Sequence, residues 1–320
     1  MLISCWKLHD LKAVNPMKNH NVSKHSPRVS LIVVTMNRKE ILKRCLESFS
    51  FQLHKDYEVI IVDNASSDGT GDLIRHAFPH VRYFFLTTNS GIPGGRNHGI
   101  RMAQGEFCVF IDDDAVFAEN NALDQVISYF RSDNCLGCLA FRIVQPGDGC
   151  EEYKSIPRAD KRILQEDYEC SYFCGAGFAV RRSIFLEMGM FWEPLFFIGE
   201  ELDFSYRLVN KGYKIMRSFA ISVIHYETQQ ARVPGKWIYY GVRSRCWVAI
   251  RNLPWINVLS YTLLWWGYFL IAGVRNRHII YFMKGIKDTI NDLPKAMKTR
   301  SCIAKGTVGK LKKLSGRIYY

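Results

Sequence analysis

Apolar runs alternate with helical patterns along the first half of the chain. SLIVVT and YEVIIVD are continuous apolar runs of strand length, and KEILKRCLESF between them has apolar residues at helical spacing. The alternation continues through VRYFFL and EFCVFI. Strands that alternate with helices predict βαβ units. We therefore expect an α/β fold with a doubly wound, mainly parallel, Rossmann-like sheet that binds ligands at the carboxyl ends of its strands.

The same pattern divides the chain into three parts. Residues 1–28 mix charged and polar residues without an apolar core of signal-peptide length, so we expect an N-terminal extension and no export. Residues 29–228 carry the alternating pattern and are expected to form the α/β domain. Within them, the stretch from Phe141 to Tyr172 is polar and irregular, which predicts a loop region over the sheet. Residues 229–320 form an aromatic and basic C-terminal region.

An uncharged segment stands out in that C-terminal region. Residues 253–274 are nearly long enough to span a bilayer, and lysines and arginines follow them. Pro254, Asn257 and Ser260 interrupt the early part of the apolar run, so a buried helix covering the domain is the alternative. We expect a helical, membrane-associated extension on the cytoplasmic side of the cell membrane, peripheral or single-pass, with interfacial attachment preferred.

The formal net charge of +13 indicates a polyanionic partner. Nucleic acid, an anionic membrane surface and phosphorylated substrates all qualify. No groove-reading helix or RNA-binding signature is recognisable, and the basic residues concentrate beside the apolar segment, so nucleic acid is not expected. The ten cysteines are scattered along the chain, which favours free thiols in a reducing cytosol.

The strongest chemical signal is the run of three aspartates in FIDDDAVF. Asp112, Asp113 and Asp114 follow an apolar strand, and adjacent carboxylates repel one another unless a cation or hydrogen-bond donors compensate. A hard divalent ion such as Mg²⁺ or Mn²⁺ suits such oxygen ligands and can hold a diphosphate. The alternative is a solvated acidic turn or a helix N-cap formed by Asp114.

A second acidic group opens a predicted helix in GEELDF. Glu200, Glu201 and Asp203 are ordinary complements to a helix dipole when taken alone. Beside a metal-binding cluster, one of them can instead take a proton from an acceptor hydroxyl. His225 ends the strand AISVIHY and is either a further metal ligand or a packed side chain.

Short polar side chains follow the first two strands. Thr35, Asn37, Asp63, Asn64 and Ser66 lie where a doubly wound sheet binds nucleotides, although helix capping explains part of this set. The later stretch NSGIPGGRNHG lacks the spacing of a P-loop or of a dinucleotide fingerprint. It is interpreted either as a tight turn or as a loop that lets the backbone approach a ligand.

These motifs together resemble family-2 glycosyltransferases. SLIVVTMNRKEILKRCLESF, IIVDNASSDGT, NSGIPGGRNHGI, FIDDDAVF, GAGFAVRRSIFLEMGMF, GEELDFSYRL and VIHY occur in the order found in that family, from about Val29 to Tyr226. The resemblance implies a GT-A fold, a UDP-, dTDP- or GDP-linked sugar donor, Mn²⁺ or Mg²⁺, and inversion at the anomeric carbon. It is closest in type to rhamnosyltransferase-like enzymes that build bacterial surface polysaccharides.

The resemblance also assigns roles to individual residues. It implies a nucleotide-sugar pocket formed by Thr35, Asn37, Asp63, Asn64, Asn89, Gly95, Asn97, Asp112 and Asp113. It implies a metal site formed by Asp112, Asp114 and His225. The family's catalytic base belongs to a Glu-Asp pair that here is Glu200-Glu201, so Glu201 is the first candidate and Asp203 the second.

The function expected from the sequence is transfer of a sugar from a nucleotide diphosphate to an acceptor hydroxyl. The acceptor is expected to be a lipid-linked or cell-surface glycan at an anionic membrane. Two alternatives stay open, a non-catalytic member of the family that only binds nucleotide sugars and a nucleic-acid-binding protein.

Overall fold

One nine-stranded sheet organises the chain within residues 27–228, 230 and 233–316, which the computed structural model describes. The predicted extension at residues 1–28 falls almost wholly outside these residues. The strands are β1 (Val29–Thr35), β2 (Tyr57–Asp63), β3 (Arg82–Phe85), β4 (Phe107–Ile111), β5 (Ala115–Phe117), β6 (Leu136–Val144), β7 (Tyr168–Glu169), β8 (Gly177–Arg181) and β9 (Lys214–His225). Their order is β3-β2-β1-β4-β8-β6-β9-β5, and β7 pairs with β9.

Eleven helices in the described residues flank this sheet or follow it. They are α1 (Lys39–Phe49), α2 (Thr70–Ala77), α3 (Gly91–Met102), α4 (Ala122–Ser132), α5 (Arg182–Glu187), α6 (Glu200–Asn210), α7 (Lys236–Asn252), α8 (Trp255–Arg275), α9 (Ile279–Asn291), α10 (Leu293–Lys298) and α11 (Lys305–Lys313). Two short 3₁₀ turns cover Tyr153–Ser155 and Glu193–Leu195.

The strand order places the functional edge of the sheet. The chain runs outward from β1 through β2 to β3 and then returns to the other side of β1 with β4, and these four strands are parallel. A ligand site is expected at such a switch point, outside the carboxyl ends of the strands. Thr35 ends β1 and Asp112 directly follows β4, so both lie at this point.

Beyond β4 the sheet changes direction. β8 is antiparallel to β4 and to β6, whereas β6 and β9 are parallel. The α/β fold is confirmed, with the continuous parallel part confined to β1 through β4, so that the sheet as a whole is mixed. Apolar side chains pack on both faces: Ile32 and Ile60 belong to one hydrophobic cluster, and Leu31 and Ile61 belong to the other. Burial on both faces explains why these strands are continuous apolar runs.

The glycine-rich stretch after β3 is not a turn or a loop. It forms the first turns of α3, which begins at Gly91. Glycine disfavours helix, but here it allows α3 to pack closely on the sheet. A Cβ on Gly95 would lie 2.6 Å from Val34 Cγ1 and 3.2 Å from Asn64 Nδ2. Packing against β1 and β2 therefore overrides the local preference.

The C-terminal helices share one hydrophobic cluster with a face of the sheet. Trp247 of α7 is buried in it, and Ala296 and Leu311 extend it to the last helices. α8 is long and apolar enough to cross a membrane by length and composition, and only 33% of its most apolar window is buried. The boundaries at residues 28 and 228 stay predictions.

Candidate metal and nucleotide site

Pairing of two strands brings the aspartate run to His225. Asp112 to Asp114 connect β4 to β5, and Ala115 of β5 lies opposite His225 at the end of β9. This register places His225 Nε2 at 3.2 Å from Asp114 Oδ1. Burial lowers the pKa of His225, but its contacts with Asp114 and Glu152 outweigh burial and raise it to about 10. The imidazole is therefore held among carboxylates.

Asp112, Asp114 and His225 have the geometry of a ligand set for a divalent metal ion. One ligand atom from each residue lies within 4.8 Å of the others, and no other such group of three occurs in residues 27–228, 230 and 233–316. Two carboxylates and one imidazole suit Mn²⁺, and carboxylates also suit Mg²⁺. Burial raises the pKa of Asp112 and repulsion from Asp114 adds to the shift, although the Arg96 guanidinium opposes it. The residues fit the ion that the sequence implies.

Asp113 turns away from this group, toward β1. Its Oδ2 accepts a hydrogen bond from the Thr35 hydroxyl at 2.7 Å, and its Oδ1 lies 2.8 Å from Arg38 Nη1. The same Arg38 nitrogen lies 3.4 Å from Asp114 Oδ2. Burial raises the pKa of Asp113 to about 6, although Arg38 opposes the shift. Asp113 is therefore held by Thr35 and Arg38, whereas Asp112 and Asp114 share the cluster with His225.

A buried arginine joins the aspartates to the second acidic group. Arg96 of α3 is 4% exposed. Its Nη2 lies 3.1 Å from Asp112, and its Nη1 lies 3.1 Å from Glu201 and 3.3 Å from Glu200. Its Nη2 also donates to the Gly175 carbonyl at 2.8 Å. One guanidinium therefore fixes the distance between the metal-facing carboxylate and the first turn of α6.

The two glutamates at the start of α6 differ in their surroundings. The Glu200 side chain is 3% exposed, and its Oε2 atom has no hydrogen-bond partner. Burial, followed by repulsion from Glu201, raises the pKa of Glu200 to about 8. The Glu201 side chain is 20% exposed. Glu201 is therefore the member of the pair that a ligand can reach.

The structure does not bring Asp203 to this cluster. Its side chain is fully buried, and it pairs with Arg207 and Arg251 and accepts a hydrogen bond from Asn252. Burial raises its pKa, but the two arginines outweigh this effect and lower it. Asp203 joins α6 to α7, and it is not placed to accept a proton from an acceptor.

Four of the expected nucleotide-pocket residues lie together at the carboxyl ends of β1 and β2. Asp63 accepts hydrogen bonds from the Tyr83 hydroxyl at 2.7 Å and from the Ser66 amide at 2.8 Å. Asn64 binds the Gly91 carbonyl and the Ser90 hydroxyl, which fixes the start of α3. Thr35 and Asn37 are equally engaged, Thr35 with Asp113 and Asn37 with the Ser67 amide. These contacts build a rigid edge of the sheet.

Three more of the expected nucleotide-pocket residues lie on or just before α3, and the last two, Asp112 and Asp113, belong to the aspartate run described above. Asn89 is exposed and accepts a hydrogen bond from the Gly91 amide at 2.8 Å. Gly95 packs on Val34, as described above. Asn97 is 1% exposed and binds Phe191 and Glu193, so it positions the segment before α6 and does not face the cluster.

A family model for "Glycosyl transferase family 2" matches residues 30–189, half of the chain. The chain belongs to glycosyl transferase family 2. Over 213 residues it is 30% identical to the GalNAc(5)-diNAcBac-PP-undecaprenol β-1,3-glucosyltransferase of Campylobacter jejuni, across 60% of this chain and 65% of that protein. This family-2 chain thus spans less than two thirds of that relative's length. The family predicted from the ordered motifs is confirmed.

Solved structures confirm the GT-A fold for this family-2 chain. S. aureus TarS 1-349 in complex with UDP-GlcNAc matches with a TM-score of 0.59 at 18% identity, over 84% of this chain and 82% of that one. The mannosyltransferase PcManGT of Pyrobaculum calidifontis, in complex with GDP-Man and Mn²⁺, matches with a TM-score of 0.55 at 18% identity, over 93% and 88% of the two chains.

Sequence reasoning missed three residues of the site in this family-2 chain. Arg38 lies within the quoted motif SLIVVTMNRKEILKRCLESF, but only the short polar side chains near it, Thr35 and Asn37, were considered. Arg96 lies in the stretch NSGIPGGRNHG, which was interpreted only as a turn or as a loop near a ligand, whereas the structure buries its side chain among three carboxylates. Glu152, which contacts His225, lies in the irregular segment after β6. No periodicity or spacing distinguishes Glu152 from its neighbour Glu151 in such a segment, so no sequence signal was available for it.

Proposed function

We propose that this family-2 chain is an inverting glycosyltransferase that transfers a sugar from a nucleotide diphosphate to an acceptor hydroxyl. The observation that carries the proposal is the arrangement around Arg96. A metal-facing carboxylate, Asp112, and an accessible carboxylate, Glu201, bind the same guanidinium at 3.1 Å each. Asp112, which faces the metal site, and Glu201, which can accept a proton, thus lie at one edge of the sheet. A single displacement requires both groups close together.

Glu201 is assigned the role of catalytic base. Its carboxylate accepts the proton of the acceptor hydroxyl as the acceptor oxygen forms a bond to the anomeric carbon. The bond from that carbon to the diphosphate breaks, and its electron pair leaves with the nucleoside diphosphate. Attack from the face opposite the leaving group inverts the configuration. Arg96 holds Glu201 in place during this step through its 3.1 Å contact.

Asp112, Asp114 and His225 are assigned to hold the divalent ion. An Mn²⁺ or Mg²⁺ ion bound there would neutralise the negative charge that develops on the departing diphosphate. Thr35, Asn37, Asp63 and Asn64 lie at the neighbouring strand ends and are assigned to the nucleotide.

The acceptor is proposed to be a glycan carried by a lipid. The name of the Campylobacter relative includes an undecaprenol diphosphate carrier. The apolar face of α8 and α9, formed by exposed side chains of these two helices, is suited to a membrane surface. Ile256 and Ile271 on α8 are 78% and 70% exposed, and Ile280 and Met283 on α9 are 60% and 58% exposed.

Basic residues border that apolar face. Exposed arginines and lysines on or beside the two helices include Arg275, Arg277, Lys284 and Lys287. Apolar side chains with flanking cations favour attachment to an anionic leaflet. We therefore propose that α8 and α9 lie in the interface on the cytoplasmic side of the membrane.

The central test is release of nucleoside diphosphate from UDP-, dTDP- and GDP-sugars, with Mn²⁺ or with EDTA and with membrane extract as acceptor. We expect turnover of one donor that requires metal and is lost in Asp114→Ala and Glu201→Gln. If a donor binds but is never turned over, the chain is instead a nucleotide-sugar sensor. If none binds, the proposed function is wrong.

Membrane attachment is tested by flotation with vesicles of neutral or anionic lipid. The wild type should float with anionic vesicles at low salt, and Ile256→Asp combined with Ile271→Asp should abolish flotation while donor hydrolysis in solution persists. Binding to RNA or DNA without binding to anionic vesicles would refute this part of the proposal and favour a nucleic-acid partner.

A further inference from the structure

The two ring nitrogens of His225 face different carboxylates. Nε2 lies 3.2 Å from Asp114 Oδ1, within the proposed metal site, and Nδ1 lies 3.4 Å from Glu152 Oε2. The His225 and Glu152 side chains are each 9% exposed. A histidine that binds a metal usually donates its second N–H to a carboxylate or carbonyl, which fixes the tautomer and the ring orientation. Glu152 occupies that second position.

Glu152 is itself held by its neighbours. The Ser155 hydroxyl donates to the same oxygen that faces His225. The Lys154 ammonium lies 3.1 Å from the other oxygen and also binds Glu227. The backbone amide of Glu152 donates to the Ile143 carbonyl at 2.9 Å, at the end of β6. These contacts fix the carboxylate on the sheet although it belongs to an irregular segment.

We propose that Glu152 is a positioning residue for the metal site. It accepts the Nδ1–H of His225, and this leaves the Nε2 lone pair directed to the site shared with Asp114. The inference rests on the proposed function, because it requires a metal ion at Asp112, Asp114 and His225. It adds that the segment after β6 determines metal affinity without contributing a ligand.

The experiment measures the Kd of Mn²⁺ alone by electron paramagnetic resonance of the free ion, with the full chain and no donor. Glu152→Gln keeps the size of the side chain but replaces the carboxylate by an amide. We expect Mn²⁺ affinity to fall about 10–100-fold, the usual effect of removing such a partner. Glu227→Gln is the matched control, since it removes the other carboxylate bound to Lys154, and its affinity should stay within about twofold.

A double-mutant cycle separates positioning from general damage to the fold. In a His225→Ala background, Glu152→Gln should cause no further loss of affinity, because its effect passes through the imidazole. Equal losses in both backgrounds, or no loss in Glu152→Gln alone, would overturn the inference. If His225→Ala leaves Mn²⁺ affinity unchanged, the inference fails while Asp112 and Asp114 still support the proposed function. If the wild type binds no Mn²⁺, both fail.

Discussion

Replacing Glu201 by glutamine should abolish most turnover without disturbing the site. The amide oxygen of glutamine can still accept from Arg96, which lies 3.1 Å from the carboxylate, so the side chain keeps its position. It cannot accept a proton from the acceptor. Loss of a general base costs about 10²–10⁴-fold in kcat, or about 3–5 kcal/mol of barrier. The assay is release of nucleoside diphosphate under saturating donor and acceptor, with KM measured alongside kcat.

Glu200→Gln is the matched control for this prediction. The Glu200 side chain is 3% exposed, so it lies out of reach of an acceptor, and we expect kcat to fall less than about tenfold. Glu201→Asp keeps a carboxylate but withdraws it by about 1.5 Å, which predicts an intermediate loss of about 10²-fold. The reasoning is refuted if Glu201→Gln retains wild-type kcat, or if Glu200→Gln is the more damaged variant.

Three further predictions concern the same helix and its contacts. Asp203→Asn should lower the free energy of unfolding by about 3–5 kcal/mol in urea titrations, because the buried Arg251 and the half-buried Arg207 lose their carboxylate; a loss below about 1 kcal/mol would contradict this. The pKa of Glu200 is raised from 4.5 to about 8, so its carboxyl ionises at a lower pH in the unfolded chain than in the folded one. The wild type therefore loses stability as pH rises across that range. The free energy of unfolding of Glu200→Gln, relative to that of the wild type, should therefore be higher at about pH 8 than at about pH 5. The same relative free energy at both pH values would be evidence against the raised pKa of Glu200. Gly175→Ala should reduce kcat at least about tenfold, because the new Cβ overlaps the Glu201 carboxylate and crowds the Arg96 guanidinium, and an unchanged kcat would show that both side chains have room to move.

Much of the fold followed from the order of apolar runs and motifs along the chain. β1, β2 and β4 were predicted because strands buried on both faces need uninterrupted apolar residues. The aspartates after β4 and the glutamates at the start of α6 were identified because clustered carboxylates are suited to binding a metal ion and accepting a proton. The antiparallel pairing of β8 with β4 and β6 was not predicted, since the pattern of a single buried strand carries no information about the direction of its neighbour.

Tertiary structure decided which carboxylates work together. Asp113 and Asp114 are neighbours in sequence, yet Asp113 faces Arg38 whereas Asp114 also faces His225. His225 joins the site through the pairing of β5 with β9. Glu201 and Asp203 lie two residues apart on α6, about 200° around a helix, so Glu201 faces Arg96 and Asp203 faces α7. The sequence by itself determined which acidic side chains are present at the strand and helix ends. Their roles depend on direction and burial, and only the packing of distant segments sets these.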